Sequence, residues 1–116
     1  MSQVWQIRLA DQVELDLQEI ALWTVGNFGS RQADEYLDTV MLVIEALCDG
    51  PAFLGARERN DIGPGICVLP VSRSGRKGRH LVVFKAAHEQ TIDVLRLLHE
   101  RMDLAKHLPA SKDKSH

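Results

Sequence analysis

The chain has 116 residues, enough for one domain with a hydrophobic core. Its 45% hydrophobic and 26% charged residues are ordinary for a globular protein, and a formal net charge of −2 argues against a general nucleic-acid binder. No apolar run approaches the roughly 18 residues of a membrane span, and the N-terminal residues lack the pattern of a secretory signal.

The charges are unevenly distributed along the chain. Residues 1–50 hold nine acidic residues against two arginines, a net −7, and residues 51–116 hold twelve Lys or Arg against seven acids, a net +5. This asymmetry indicates either that the basic part of the chain binds an anionic partner or that the protein has two solvated faces of opposite charge.

Cys48 and Cys67 lie far apart, without CxxC spacing or a His-rich neighbourhood. This favours reduced, structural cysteines in a cytoplasmic protein over a disulfide or a metal site. We therefore expect no metal and no cofactor.

The first half of the chain predicts a strand followed by two helices. Residues 4–9 alternate as a half-buried strand, and Asp11 is the predicted N-cap of a helix that ends near Phe28. Ser30 is the predicted cap of the second helix, which ends at residues 49–51. The short connection predicts an antiparallel helical hairpin that needs a sheet to cover its apolar stripes. Those predicted stripes are Val13, Leu17, Ile20, Thr24 and Phe28 on the first helix, and Ala33, Tyr36, Leu37, Val40, Ile44, Leu47 and Cys48 on the second.

The second half predicts an antiparallel meander. A polar loop over residues 53–65 precedes predicted strands at 66–71, 79–86 and 91–99, with turns at 72–78 and 87–90. A short helix over residues 100–108 is stopped by Pro109, and residues 110–116 form a predicted disordered tail. The fold class is α+β with the order β-α-α-β-β-β-α, in which the hairpin packs on one face of an antiparallel sheet and residues 1–109 form one domain.

Basic residues lie unusually close to the apolar strands. Arg96 stands in mid-strand, where it either pairs with an acid, such as Asp93 or one from the helices, or points to a partner. An ion pair is favoured, because an unpaired charge in a sheet costs several kcal/mol. His80 and His99 are more typical of hydrogen-bonded structural residues than of catalysts.

The order of elements and several short motifs together resemble a ParE toxin of the RelE/ParE toxin–antitoxin superfamily, over roughly residues 4–108. The matching positions are Asp16-Leu17, Ile20, Phe28-Gly29 before Gln32-Ala33, Tyr36, Pro51, Arg79-His80 and the run from Val94 to Asp103. The full set in order carries the resemblance.

The resemblance implies a toxin of a type II toxin–antitoxin system, of the kind linked to plasmid stabilisation. The ParE branch is known for inhibiting DNA gyrase, which it stalls with broken DNA, and a ParD-like antitoxin wraps its C-terminal segment over the toxin. The alternative is a RelE-like, ribosome-dependent mRNA endoribonuclease. A third option is a toxin that has lost potency and serves mainly as a partner of its antitoxin. No membrane contact and no small-molecule ligand is expected.

An endoribonuclease needs general acid and base groups and cations for the phosphate. The candidates are Arg79, His80, Arg96 and His99, with Lys85 as a further cation. Tyr36 is the only tyrosine and is predicted to be buried, which favours an inhibitor without catalytic residues. The surface predicted to contact gyrase or DNA combines the basic turn after the first meander strand with the terminal helix: Arg76, Lys77, Arg79, Arg96, Arg101 and Lys106.

The first helix has more apolar residues than one face can bury. Trp23 lies off the predicted stripe, so it either forms an exposed anchor for an amphipathic antitoxin segment or packs under the loop at Phe53. The predicted antitoxin-binding residues are Leu22, Trp23, Val25 and Phe28.

Overall fold

A computed structural model describes residues 4–50, 56–73 and 76–99 of the chain. Two helices pack against a five-stranded sheet with the strand order β1-β5-β4-β3-β2. The elements are β1 (Gln6–Leu9), α1 (Asp11–Phe28), α2 (Ser30–Ala46), a 3-10 turn (Leu47–Asp49), β2 (Arg57–Glu58), β3 (Ile66–Arg73), β4 (Arg76–Ala87) and β5 (Thr91–His99). The α+β class, the helical hairpin and the antiparallel meander of β3, β4 and β5 are confirmed.

The sheet is mixed, because β1 runs parallel to β5. Gln6 lies opposite Thr91 and Leu9 opposite Val94. The N–H of Gln6 donates to the carbonyl of Gln90 at 2.8 Å, in the turn that precedes β5. The long connection through both helices and the meander makes this parallel pairing possible, since parallel neighbours need a crossover.

The structure differs from the sequence prediction at the loop over 53–65 and at the turn over 72–78. The predicted loop over 53–65 contains β2, whose two residues pair antiparallel with β3 at the sheet edge and are too few to give a periodic signal. Both β3 and β4 extend into the predicted turn over 72–78, because their pairing continues to Arg73 and Arg76. The predicted terminal helix and tail lie outside the described residues.

Both predicted side-chain caps are wrong. Asp11 is the first residue of α1 and Ala10 is its N-cap; no side chain caps the helix. Ser30 is likewise the first residue of α2, after Gly29. Gly29 joins the helices with a φ of 92°: its N–H donates to the carbonyl of Val25 at 2.9 Å, and its carbonyl accepts from the N–H of Ala33 at 3.1 Å. One residue in the left-handed region thus serves both helix ends, a conformation that favours glycine.

The helical stripes pack on one face of the sheet. The fully buried members of this core come from both helices, the 3-10 turn and the central strands: Val13, Val40, Leu47, Val71, Val82, Phe84, Ile92 and Val94. Each such aliphatic side chain contributes about 1.5–3 kcal/mol relative to an exposed one. A second cluster contains Ile62, Ile66, Val68, Val83 and Leu98.

The stripe prediction for α1 is wrong at one end. Phe28 is 58% exposed, because its ring packs edge-to-face on Trp23 at 5.8 Å instead of on the sheet. Asp16, absent from the predicted stripe, is 2% exposed.

Among the described residues, no helix is long and apolar enough to cross a membrane.

Candidate functional site

A cleft of about 330 Å³ lies between the middle of α1 and the adjoining parts of β4 and β5. Its walls are Asp16, Glu19, Ile20, Trp23, His80, Leu97 and His99. Positions 16, 19, 20 and 23 share one helical face, since residues three and four apart are neighbours on a helix. The cleft therefore brings together the acidic first helix and two of the sequence-predicted histidines.

The floor of the cleft is fixed by an ion pair between Asp16 and Arg96. The guanidinium donates to both carboxylate oxygens, at 2.9 and 3.0 Å, and the N–H of Leu97 donates to the same carboxylate at 2.9 Å. The side chains are 2% and 16% exposed. A buried bidentate pair with a further backbone donor leaves the carboxylate well satisfied. The predicted structural pairing of Arg96 with an acid from the helices is confirmed.

A β-bulge beside Arg96 sets which residues of β5 face the helices. Val83 lies opposite Arg96 and Phe84 opposite Val94, so Leu95 is the extra residue. Because of this shift, Val94 and Leu97 both join the core beneath the helices. His99 then lines the cleft instead of the opposite face.

His80 forms the wall of the cleft on β4. Its Nδ1 lies 2.9 Å from the hydroxyl of Tyr36 on α2, and its ring meets that of His99 edge-on, with centroids 5.4 Å apart. His80 is 9% exposed. The hydrogen-bonded, structural interpretation of His80 accounts for these contacts. Tyr36, predicted to be buried, is half-buried, and its contact with His80 could not be read from the sequence.

The second half of α1, beyond the cleft, is apolar and exposed. Residues 20–29 carry no charged side chain. The exposed fractions are 75% for Leu22, 49% for Trp23, 45% for Val25 and 58% for Phe28. We call these four residues the α1 patch. Trp23 belongs both to the patch and to the cleft wall, so the two surfaces are continuous. The alternative contact of Trp23 with the loop at Phe53 lies outside the described residues.

The helical layer is strongly acidic. Residues 11–49 contain nine Asp or Glu and one basic residue, Arg31, and eight of the nine acids are exposed. Arg31 itself lies 3.6 Å from Glu35 on the same helix. The buried exception is Asp16, which Arg96 neutralises.

For the remaining predicted site residues, the structure describes backbone positions at most. The backbone of β4 places Arg76, Lys77 and Arg79 in one strand, upstream of His80. Arg101 and Lys106 lie outside the described residues. As target-binding residues, these five stay a prediction.

Cys48 and Cys67 are free cysteines in the structure. The described residues contain no group of three or more His, Cys, Asp or Glu side chains arranged to hold a metal ion. Burial, followed by the negative charge of Glu58, raises the pKa of the Cys67 thiol.

Two solved structures from toxin–antitoxin systems share this architecture. The chain superimposes with a TM-score of 0.66 on a chain of the chromosomal ParDE system from P. aeruginosa, at 20% identity, covering 83% of this chain and 96% of that one. The TM-score is 0.57 for the RelBE2 toxin–antitoxin complex from Mycobacterium tuberculosis, at 17% identity, covering 83% and 98%. These similarities show that the chain has the α+β fold of the RelE/ParE toxins.

Sequence comparison narrows the class. Residues 7–104 match the family described as ParE toxin of type II toxin–antitoxin system, parDE. The chain is 31% identical over 100 residues to Toxin ParE1 from two strains of Mycobacterium tuberculosis, covering 86% of this chain and 94% of each relative. The chain therefore belongs to the ParE toxin family of type II toxin–antitoxin systems.

Proposed function

We propose that this ParE-family toxin inhibits DNA gyrase and that a ParD-like antitoxin neutralises it by binding the α1 patch. The proposed neutralisation rests on the α1 patch: Leu22, Trp23, Val25 and Phe28 are exposed at a helix end without charged side chains. Aromatic and aliphatic anchors of this kind dominate helix-in-groove and related interfaces. Family membership supports an antitoxin as the occupant.

The gyrase target is supported by membership of the ParE branch rather than by any single contact. The contacts of the candidate catalytic groups support an inhibitor that catalyses no reaction. Arg96 is held by Asp16, and His80 by Tyr36, inside the fold. Groups engaged in this way are poorly placed to bind a scissile phosphate.

A supercoiling assay tests the gyrase proposal. Relaxed plasmid, purified gyrase and ATP are titrated with the toxin, and we expect loss of supercoiling with accumulation of linear DNA after denaturation. Prior addition of the antitoxin should restore supercoiling. Unchanged supercoiling at toxin concentrations that arrest growth would refute the gyrase target.

The residues proposed to contact gyrase are tested in the same assay. Arg76→Ala and Lys77→Ala, made separately, should each weaken inhibition, because a basic surface on β4 would lose a contact with gyrase or the DNA it holds. Arg31→Ala is the matched control, since Arg31 is an exposed cation on the helical layer. Equal losses of inhibition in the control and in each single-charge β4 variant would mean that only the total charge matters.

One observation favours the endoribonuclease as a second candidate. His80 and His99 lie 5.4 Å apart, centroid to centroid, in an open cleft, and two imidazoles can supply a general acid and a general base. Ribosome-bound mRNA incubated with the toxin distinguishes this activity. Cleavage that is lost in His99→Ala would support it, and intact mRNA would exclude it.

A further inference from the structure

We propose that the cleft receives a cationic side chain, an arginine or a lysine, from the antitoxin, with its alkyl stem on Trp23 and its charge at Glu19. This inference rests on the neutralisation part of the proposed function. It adds the chemistry of the partner: an amphipathic segment that presents apolar anchors to the α1 patch and one cation to the cleft.

The geometry comes from the spacing on α1. Glu19 and Trp23 are four residues apart and line the same wall of the cleft, with Ile20 between them. Trp23 also packs against Phe28 of the patch. A segment that covers the patch therefore passes the mouth of the cleft. A volume of about 330 Å³ accommodates one long side chain.

The charge inside the cleft selects a cation. The carboxylate of Asp16 is already balanced by Arg96. Glu19 is exposed and has no ion pair among the residues that the structure describes. Tyr36 occupies Nδ1 of His80. Among the described ion pairs and carboxylates of the cleft, the charge left unbalanced is therefore that of Glu19. This charge attracts a cation and repels an acidic residue of a partner.

The indole of Trp23 strengthens the preference. A guanidinium or ammonium group over an indole face gains a cation–π interaction, and the long stem of Arg or Lys covers apolar surface while the charge stays near water. Arginine is the better fit, because its planar group can stack on the ring and pair with a carboxylate at once. The acidic surface of residues 11–49 adds a long-range attraction for a basic segment.

Three toxin variants test the inference, with the purified cognate antitoxin as the probe. Glu19→Gln removes the charge and Trp23→Leu removes the aromatic face. Glu14→Gln is the matched control, because Glu14 is an exposed acid on the same helix that does not line the cleft. Calorimetric titration at 50 and 500 mM NaCl gives the affinity of each, and circular dichroism confirms the fold.

We expect Glu19→Gln to weaken antitoxin binding about tenfold at low salt and to reduce its salt dependence. Trp23→Leu should weaken binding by a similar factor, and Glu14→Gln by less than about twofold. Replacing each Arg and Lys of the antitoxin's toxin-binding segment by Gln then locates the cation. For one of these antitoxin variants, the affinity for the Glu19→Gln toxin should be no lower than the affinity of the wild-type antitoxin for that toxin. Such non-additivity would show that the two groups interact.

Three results overturn the inference. If Glu19→Gln binds as tightly as the wild type, or if the antitoxin variants all lose affinity independently of Glu19, the cleft does not hold a cation. Loss of binding with Trp23→Leu alone would mean an apolar anchor. These results would leave the proposed neutralisation intact. An antitoxin that fails to bind the wild-type toxin would refute both, and the gyrase assay would still stand by itself.

Discussion

Asp16 of α1 and Arg96 of β5 are 80 positions apart in the chain and are joined by two hydrogen bonds of 2.9 and 3.0 Å. The pair joins α1 to β5, beside the β-bulge at Leu95. It also fixes the floor of the cleft, where Asp16 and Leu97 both line the wall. Fold and candidate site therefore depend on the same contact.

Removing one partner of this pair should be costly. Asp16→Asn is expected to lower the free energy of unfolding by about 3–5 kcal/mol, because Arg96 would keep a buried charge without a counterion. Urea titration followed by tryptophan fluorescence measures the change. The double variant Asp16→Leu, Arg96→Met should recover much of the loss, since no charge is then left unpaired.

Asp93→Asn provides the control for an exposed pair. Asp93 accepts two hydrogen bonds from Arg8, at 2.7 and 3.0 Å, but the Arg8 side chain is 66% exposed. Solvent screens this pair, so its loss should change stability much less than Asp16→Asn. Equal effects of the two substitutions would contradict the importance of burial at Asp16.

The hydroxyl of Tyr36 gives a smaller prediction. Tyr36→Phe removes the hydrogen bond to His80 and keeps the ring, so we expect a loss of about 1 kcal/mol in the free energy of unfolding. Thr39→Val is the control on the same helix, because the Thr39 hydroxyl donates to the helix carbonyl of Glu35 at the surface. A Tyr36→Phe protein as stable as the wild type would mean that water replaces the hydroxyl.

The hairpin and the meander could be predicted because their signals are local. The stripe of α2 repeats over many turns, and its members Ala33, Val40, Ile44 and Leu47 are buried as expected. The parallel pairing of β1 with β5 leaves no local signal, since Gln6 and Thr91 lie far apart in sequence. The strand β2 has two residues, too few to show the alternation of apolar and polar residues that predicts a strand.

The candidate site was only partly predictable. The sequence favoured an ion pair for Arg96 but offered both Asp93 and a helical acid; Asp93 is taken by Arg8. The extra residue at Leu95 could not be read from the alternation, so the position of His99 in the cleft was not foreseen. Glu19 was missed because it looks like any exposed helical acid until Trp23 and the sheet are placed beside it.

The α1 patch predicts a separation between binding and stability. Phe28→Ala should weaken antitoxin binding about tenfold or more, because aromatic anchors in apolar patches are typical hot spots. The free energy of unfolding should change little, since the side chain is 58% exposed. Leu42→Ala is the matched control: Leu42 is 50% exposed but lies on α2, outside the patch. Similar losses of affinity in both variants would place the interface elsewhere.

The thiol of Cys67 yields a prediction about reactivity. Burial, and then the charge of Glu58, raise its pKa, and Glu58 lies directly opposite Cys67 in the pairing of β2 with β3. A raised pKa means less thiolate at neutral pH, so alkylation by iodoacetamide should be slower than for a free cysteine peptide and should rise at higher pH. Mass spectrometry in a Cys48→Ser background measures the rate from pH 7 to about 10.5.

Glu58→Gln separates the two causes. Without the carboxylate the thiolate is less disfavoured, so the pH profile of alkylation should move to lower pH. The shift should be partial, because burial is the larger cause and remains in place. Glu89→Gln, an exposed acid in the turn before β5, is the matched control and should leave the profile unchanged. A profile that is equally insensitive to Glu58→Gln would show that burial alone raises the pKa of Cys67.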